Sequence, residues 1–481
     1  MSRVVWWLRR DLRLDDNSAL AGALAAADET LPVFVLDDHL LGSARLRGAR
    51  IAWMLEGLRA LDADLRERGS SLIVRRGDPA TELSALCLEA GASAVFFNRD
   101  ISPYARRRDE AVVRALAAVG VEARSFHDAT LCEPGELVSG RGAPYQVFSA
   151  FRRAWLALPK PIALPLDARP GAFVHAGIVS TLPIPSPAEL GCVPAASPIV
   201  AAGERQALSR LASFIAGPIH AYAAQRDRLD LDGTSRLSPY LRWGMLGPRR
   251  CYWSAACALE VATDEASRRG VSVWIDELIW REFFADVLAA HPSSVRRALR
   301  PVYDAIVWEQ RDDWLEAWAE GRTGYPIVDA AMRQMRATGW MHNRARMIVA
   351  SFLCKDLLMD WRQGEAVFMR SLLDGDVASN VGNWQWTAGT GADAAPYFRV
   401  FNPTAQGQRF DPHGQYIRRW VPELADVPTN LMHTPERMTP RQQRETGCVL
   451  GRDYPSPIVD HAAQRRRALA MYAAARASAE P

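Results

Sequence analysis

The feature that most limits what this chain can fold into is a change of apolar period along it. Over the first 130 residues, short apolar runs at 4–8, 32–36, 72–74 and 94–97, with a weaker one near 121–126, alternate with helical stretches. Continuous short runs, without polar alternation, suit strands covered on both faces of a parallel sheet. In the clearest intervening stretch, Ile51, Met54, Leu55, Leu58, Leu61 and Leu65 recur at helical spacing, and Gly69 follows as a stop. Asp78 and Pro79 suit an N-cap and a first-turn position. Strand and helix in alternation predict a doubly wound, Rossmann-like α/β domain of about five parallel strands over residues 1–130.

Residues 127–203 then carry eleven prolines. That density suppresses long helices and central strands, so 131–203 is predicted to be an extended interdomain connector. From 204 to 481 the pattern is helical almost throughout, which predicts an all-α domain. No repeat of 20–50 residues is visible, which excludes solenoids and propellers. No apolar stretch reaches the roughly 18 residues of a membrane span. The start breaks into Arg9, Arg10, Asp11, Arg13, Asp15 and Asp16, unlike a secretory signal, so a cytoplasmic protein is expected. Seven cysteines with no C-x-x-C spacing read as reduced thiols, with neither a disulfide framework nor a metal cluster. Net charge is +3. Residues 1–130 contribute 18 Arg against 19 acids, or −1, and residues 331–420 contribute 11 basic against 7 acidic, or +4. The C-terminal part is therefore the one suited to a polyanion.

Common nucleotide and hydrolase signatures are missing: there is no Walker loop, no G-x-G-x-x-G after the first strand, no H-E-x-x-H and no G-x-S-x-G. Tryptophan stands out instead, with 16 Trp against 11 Tyr and 15 Phe, and twelve of the Trp lie beyond residue 240. One Trp alone reads as core packing. A row of them beside one redox cofactor, such as Trp308, Trp361 and Trp384, would instead relay a hole to the surface. Residues 339–347 open a predicted helix running to about Trp361, with Asn343 and Met347 on one face and His342 and Arg346 on the next. An amide and a thioether on one face suit a flat ligand; equally, Met347 fills core and Asn343 caps the helix. Glu277, Trp280 and Arg281 occupy adjoining turns of another apolar helix, where a carboxylate is costly unless hydrogen-bonded, within the protein or by a ligand. Residues 234–239 gather hydroxyls, amides and an Arg, as a phosphate site or a helix cap does. Asp374-Gly375-Asp376 reads as a turn, a metal pair or an arginine clamp, with too few further ligands for a metal.

Taken together, these segments resemble the photolyase/cryptochrome family, and specifically its class I cyclobutane pyrimidine dimer photolyases. The resemblance rests on residues 7–17, opening Trp7-Leu8-Arg9-Arg10-Asp11, on 234–239 and 277–284, and on 323–333, opening Thr323-Gly324-Tyr325-Pro326. It continues through 343–362, Trp384-Gln385-Trp386 and 393–399. It implies light-driven repair by electron transfer from reduced FAD to a dimer flipped out of DNA. FAD would lie in the helical domain, its phosphates at Thr234, Ser235, Arg236, Leu237 and Ser238 with Tyr222 and Trp274 nearby. Its ring would lie beside Asp374, Gly375, Asp376 and Asn380, with Arg346 pairing an aspartate. Trp384, Trp361 and Trp308 would form the photoreduction chain. Trp280 and Trp386 would wall the dimer, Glu277 and Asn343 would hydrogen-bond its bases, and Met347 would touch it. Arg226, Arg281, Arg344 and Gln406 would contact DNA.

Two neighbouring activities fit less well. The (6-4) photolyases carry histidines where Asn343 and Met347 stand. Cryptochrome photoreceptors alter the dimer-facing residues that this chain keeps. The departure lies near residue 105, where folate-binding relatives have an Asn-Glu pair and this chain has Ser102-Pro103-Tyr104-Ala105-Arg106. A second, antenna chromophore is expected, 5,10-methenyltetrahydrofolate or 8-hydroxy-5-deazaflavin, with Arg50, Asp100 and Tyr104 as candidates. The expected partner is DNA containing pyrimidine dimers. No membrane and no obligate protein partner are expected, the chain acting as a monomer, nucleoid-associated in a bacterium.

Overall fold

The computed structural model of the chain describes residues 2–43, 48–166, 172–174 and 176–478. Five strands, β1 (Arg3–Leu8), β2 (Glu29–Asp37), β3 (Ile73–Gly77), β4 (Ala94–Asn98) and β5 (Glu122–Phe126), form a parallel sheet in the order β3-β2-β1-β4-β5. Side chains alternate across a strand. Accordingly Val4, Trp6 and Leu8 of β1 enter the large core shared with the helical region, while Val5 and Trp7 enter a separate core on the other face. Both faces are covered, hence the unbroken apolar run. The β5 strand lies at the sheet edge and is largely exposed, which explains its weak apolar signal.

The connector is not extended throughout. Helix Phe148–Ala157 forms within it, burying Phe151 and Trp155, and stops before Pro159. Beyond it the helical region is organised around the long helix Glu265–Ala290, started by the Asp264 carboxylate accepting from the Ser267 amide at 2.8 Å. This helix packs against helices Pro218–Gln225, Pro248–Val261 and Val377–Ala388. The helix opening at Asn343 is shorter than its apolar pattern predicts. It ends at Ser351, passes through the wide π-turn Phe352–Asp356, and breaks at Leu358, whose φ is +57°. A new helix, Trp361–Ser371, starts there under an Asp360 cap. The turn carries two buried ionisable groups held from outside it: Lys355 donates to the Arg399 carbonyl at 2.8 Å, and Asp356 Oδ1 meets His461 Nδ1 at 2.5 Å. No helix among the described residues is long and apolar enough to cross a membrane.

The charged segment after β1 clamps the two regions together. Arg13 and Arg249 share Asp128 at 2.7 Å each, and Arg249 reaches Asp16 at 2.6 Å, with side chains at most 4% exposed. Glu204 accepts from the amides of Leu14 and Asp15 at 2.7 Å. Contact here is so close that a Cβ on Gly244, whose φ is +62°, would lie 2.0 Å from the Arg10 carbonyl oxygen.

Candidate functional site

The loop Asp374-Gly375-Asp376 joins helices Trp361–Ser371 and Val377–Ala388 and faces the charged seam. Asp376 caps the second helix through the Ser379 amide at 3.0 Å and pairs with Arg10 at 2.5 Å. Burial opposes its charge, but Arg10, Arg242 and Arg281 outweigh it and hold the carboxyl pKa down at about 2. The Gly375 carbonyl accepts from Arg242 and from Arg50, both at 2.7 Å. A Cβ there would stand 2.6 Å from Arg50 Nη1, so a larger residue would have to displace that guanidinium. Arg50, expected as an antenna candidate, is instead fully buried beneath this loop, also donates to the Met369 carbonyl, and does not line the cavity that Asp100 and Tyr104 line. Asn380 is buried and donates to the backbone carbonyl and side chain of Glu365 at 3.1 Å.

Asp374 is the point where the distant segments meet. Its Oδ2 accepts from Ser238 Oγ at 2.6 Å and Arg346 Nη2 at 2.7 Å, whereas its Oδ1 is buried with no partner among the described residues. Residues 234–237 form a loop pinned by Arg210, which donates to the carbonyls of Ser235 at 2.9 Å and Thr234 at 3.2 Å; Arg236 takes a φ of +53° and pairs with Asp232 at 2.8 Å. The helix that follows, Ser238–Trp243, has no side-chain cap, so the Thr234 and Ser235 hydroxyls are not used as one. Leu237, Tyr222 and Trp274 are buried alongside, Tyr222 and Trp274 each against Phe214.

A second group of residues faces outward. Two adjacent residues, Arg226 and Asp227, link two helices: Arg226 pairs with Glu277 at 2.7 Å and Asp227 with Arg344 at 2.8 Å. Glu277 is half-buried, and this enclosure raises its pKa despite Arg226. His342, not Asn343, caps the helix, its Nδ1 accepting from the Arg344 amide at 3.1 Å. Burial pushes the His342 pKa down to about 4, and the ring is neutral near pH 7. Asn343 is left exposed. Met347, Trp386, Arg344 and Gln406 line one cavity of about 450 Å³, joined by Arg399, from the 393–399 segment, and by Phe401, Arg409 and Phe410, which no sequence motif marks as site residues. Arg344 and Arg409 both lie over the Phe410 ring, at 4.4 and 5.1 Å. Trp280 is half-buried and stacks on Phe148 with 3.7 Å between ring centres. Arg281 is corrected as a DNA contact: it turns inward, donates to the Ala129 carbonyl at 2.6 Å and lines a small cleft with Arg10 and Asp376. One residue further round a helix is about 100° away, which is enough to move it from rim to seam.

Trp384 is buried between Phe368, at 5.0 Å, and Trp318, at 6.1 Å, with its indole N–H unpartnered among the described residues. No sequence motif marks Trp318 as packing there, nor Gly364, where a Cβ would lie 2.1 Å from the Trp384 ring. Trp361 is buried at the start of its helix, and the half-buried Trp308 meets Tyr472 edge-on at 6.3 Å.

At the carboxyl ends of β1 and β2 lies a cavity of about 730 Å³, lined by Asp100 and Tyr104 and closed by Pro292 and Arg296 of the helical region. The Tyr104 hydroxyl donates to Asp37, and its ring stacks on His39 at 4.8 Å. Arg10, 3.2 Å away, outweighs burial at Asp100 and keeps that carboxyl well below its ordinary pKa.

Comparison with known proteins places the chain in a family. Residues 4–170 match the family described as DNA photolyase, and residues 274–474 match the FAD binding domain of DNA photolyase. The chain is 42% identical to the deoxyribodipyrimidine photo-lyase of Halobacterium salinarum, across 98% of this chain and 99% of that protein. Among solved structures, a class III photolyase from Agrobacterium tumefaciens superposes with a TM-score of 0.91 at 36% identity, covering 99% of this chain and 98% of that one. An archaeal photolyase from Sulfolobus tokodaii, solved with two FAD molecules, gives 0.83 at 32% identity, covering 98% of this chain and 100% of that one. The chain therefore belongs to the DNA photolyase family of FAD-binding DNA-repair enzymes.

Proposed function

We propose that this enzyme reverses cyclobutane pyrimidine dimers in DNA under blue or near-UV light, acting as a monomer of the class I type. The observation that carries the reading is the outward cavity where Met347 and Trp386 are walled by arginines: a base stacks on an indole, and the guanidinium groups take the flanking phosphates. An extruded dimer enters there. Glu277 and Asn343 hydrogen-bond its bases, Trp280 and Trp386 exclude water from it, and Arg226, Arg344 and Gln406 fix the strand.

The residues around Asp374 fit FAD, because its buried Oδ1 lacks a donor and a flavin imide N–H or ribityl hydroxyl is one. Arg346 and Ser238 orient that carboxylate, Asp376 and Gly375 support it, and Thr234, Ser235 and Arg236 receive the phosphates. Bound FAD in its two-electron-reduced form supplies, on excitation, the single electron that opens the cyclobutane ring and takes it back. Asn380 would line the flavin site, and Trp384, Trp361 and Trp308 would serve to carry reducing equivalents inward from the surface. The 730 Å³ cavity, with Asp100 and Tyr104, takes a second chromophore, methenyltetrahydrofolate or 8-hydroxy-5-deazaflavin. Light absorption by the purified protein, with bands beyond those of FAD, tests that part.

The main test is a gel assay of an oligonucleotide carrying one thymine dimer, incubated with chemically reduced protein in blue light and in the dark. Dimer reversal in light alone is expected; no reversal rejects the repair reading.

A further inference from the structure

A separate cavity of about 660 Å³ opens beyond the carboxyl ends of β4 and β5, the edge at which open α/β sheets bind ligands. Helix Pro103–Ala118 divides it from the antenna cavity: Tyr104 and Arg108 face the latter, whereas Arg106, Glu110 and Arg114 face the new one.

Its floor is the end of the long helix. Two carboxylates one turn apart hold the same connector loop there, and they differ in one respect. Glu282 uses both oxygens: Oε1 accepts from the Leu131 amide at 2.6 Å, and Oε2 from the Cys132 amide at 3.1 Å and the Trp155 indole at 2.6 Å. Asp286 uses one, its Oδ1 accepting from the Gly135 amide at 2.7 Å, while its Oδ2 has no partner among the described residues although Asp286 is only 3% exposed. Asp286 lines the cavity. A buried acceptor left unmade costs about 1–3 kcal/mol, so this oxygen calls for a donor. The negative end of the same helix, at Ala289 and Ala290 on the cavity wall, favours the same kind of group. Burial also raises the Asp286 pKa, since no cation compensates the carboxylate fully.

Phe97, Ile101, Val113 and Leu137 make the walls apolar. Arg106 and Arg114 are exposed at the mouth, where Arg106 also donates to the Ala289 carbonyl at 3.5 Å; among the described residues neither forms an ion pair, nor does Glu110 one turn from each, whereas Asp100, Asp109 and Glu133 of the lining are each paired with an arginine. The volume lies within the usual range of small-ligand sites. We propose that this cavity binds an amino-substituted heteroaromatic with an anionic tail, of nucleoside monophosphate size. Its ring lies between the apolar walls, its N–H donates to Asp286 Oδ2, and its tail meets Arg106 and Arg114.

Calorimetric titration of the FAD-loaded full chain with AMP tests this, with adenosine and ribose 5-phosphate as half-ligands. AMP is expected to bind one per chain, more tightly than either half. Asp286→Asn keeps the acceptor for Gly135 but replaces the loose oxygen with a donor, and it should weaken AMP about tenfold or more. Reversing the mouth with R106E and R114E should weaken AMP but not adenosine, and Tyr104→Phe should change neither. Absence of saturable AMP binding overturns the proposal. Indifference to both the Asp286 and arginine changes does so as well, as does loss of AMP on Tyr104→Phe, which would put the ligand in the neighbouring cavity. If Asp286→Asn loses flavin or melts early, the exposed arginine reversals decide alone.

Discussion

The domain seam and the outward-facing rim are made of the same parts, arginines paired with carboxylates, yet they differ in what surrounds each pair. At the seam, Arg13, Arg249, Asp16 and Asp128 are at most 4% exposed and each arginine serves more than one acceptor. At the rim, the side chains of Arg226 and Glu277 keep about a quarter of their surface open, and Asp227 more. A charge pair without solvent is structural, because neither partner has anything else to bind. A pair with one side open can exchange its partner for a ligand.

The sharpest way to break this contrast is Asp128→Ala. It leaves two arginines buried without their shared carboxylate, and denaturant unfolding should show a loss of about 3–5 kcal/mol. A loss no larger than that of a rim substitution would mean the seam is no more structural than the rim.

His342 lies between the two cases, buried but next to rim arginines. Burial depresses its pKa to about 4 from 6.5, so the folded state takes up fewer protons than the unfolded between those values. Its contribution is complete above about pH 6.5 and is lost as pH falls toward 4, on the order of 2–3 kcal/mol. His342→Gln keeps a cap acceptor and should flatten that slope in melts run from pH 7 to 4.

Two rim changes sharpen the other side. Glu277→Gln should lower repair about tenfold or more, at about 1.5–3 kcal/mol for a charged hydrogen bond, with unfolding stability little changed. Equal repair by variant and wild type would make that contact dispensable. Arg344→Ala has the smallest expected effect: DNA affinity falls for all sequences, and the slope of log affinity against log salt shrinks by about one. Binding isotherms at three salt concentrations measure it.

Much of the fold was legible because burial writes itself into period. The central strands read as apolar runs, whereas β5, at an edge, barely registered. The helix break after Ser351 was invisible, because Phe352, Leu353 and Leu357 continue the apolar pattern through the π-turn. Helix Phe148–Ala157 hid in a proline-rich stretch whose prolines lie outside it. The candidate site residues were named by motif, and the structure joins three of them, Ser238, Arg346 and Asp374, across 136 residues of chain. Direction was not legible: Arg281 and Arg50 look like ligand-binding arginines in sequence, and both turn into the seam.

What the sequence by itself determined is the list of elements and of chemically equipped residues, since apolar period and residue type are local properties. Which carboxylate oxygen is satisfied and which is left over, at Glu282 against Asp286 or within Asp374, was decided only by tertiary structure. The reason is physical: a hydrogen-bond partner or a desolvating wall comes from elsewhere in the chain, and no local pattern encodes its distance or its angle.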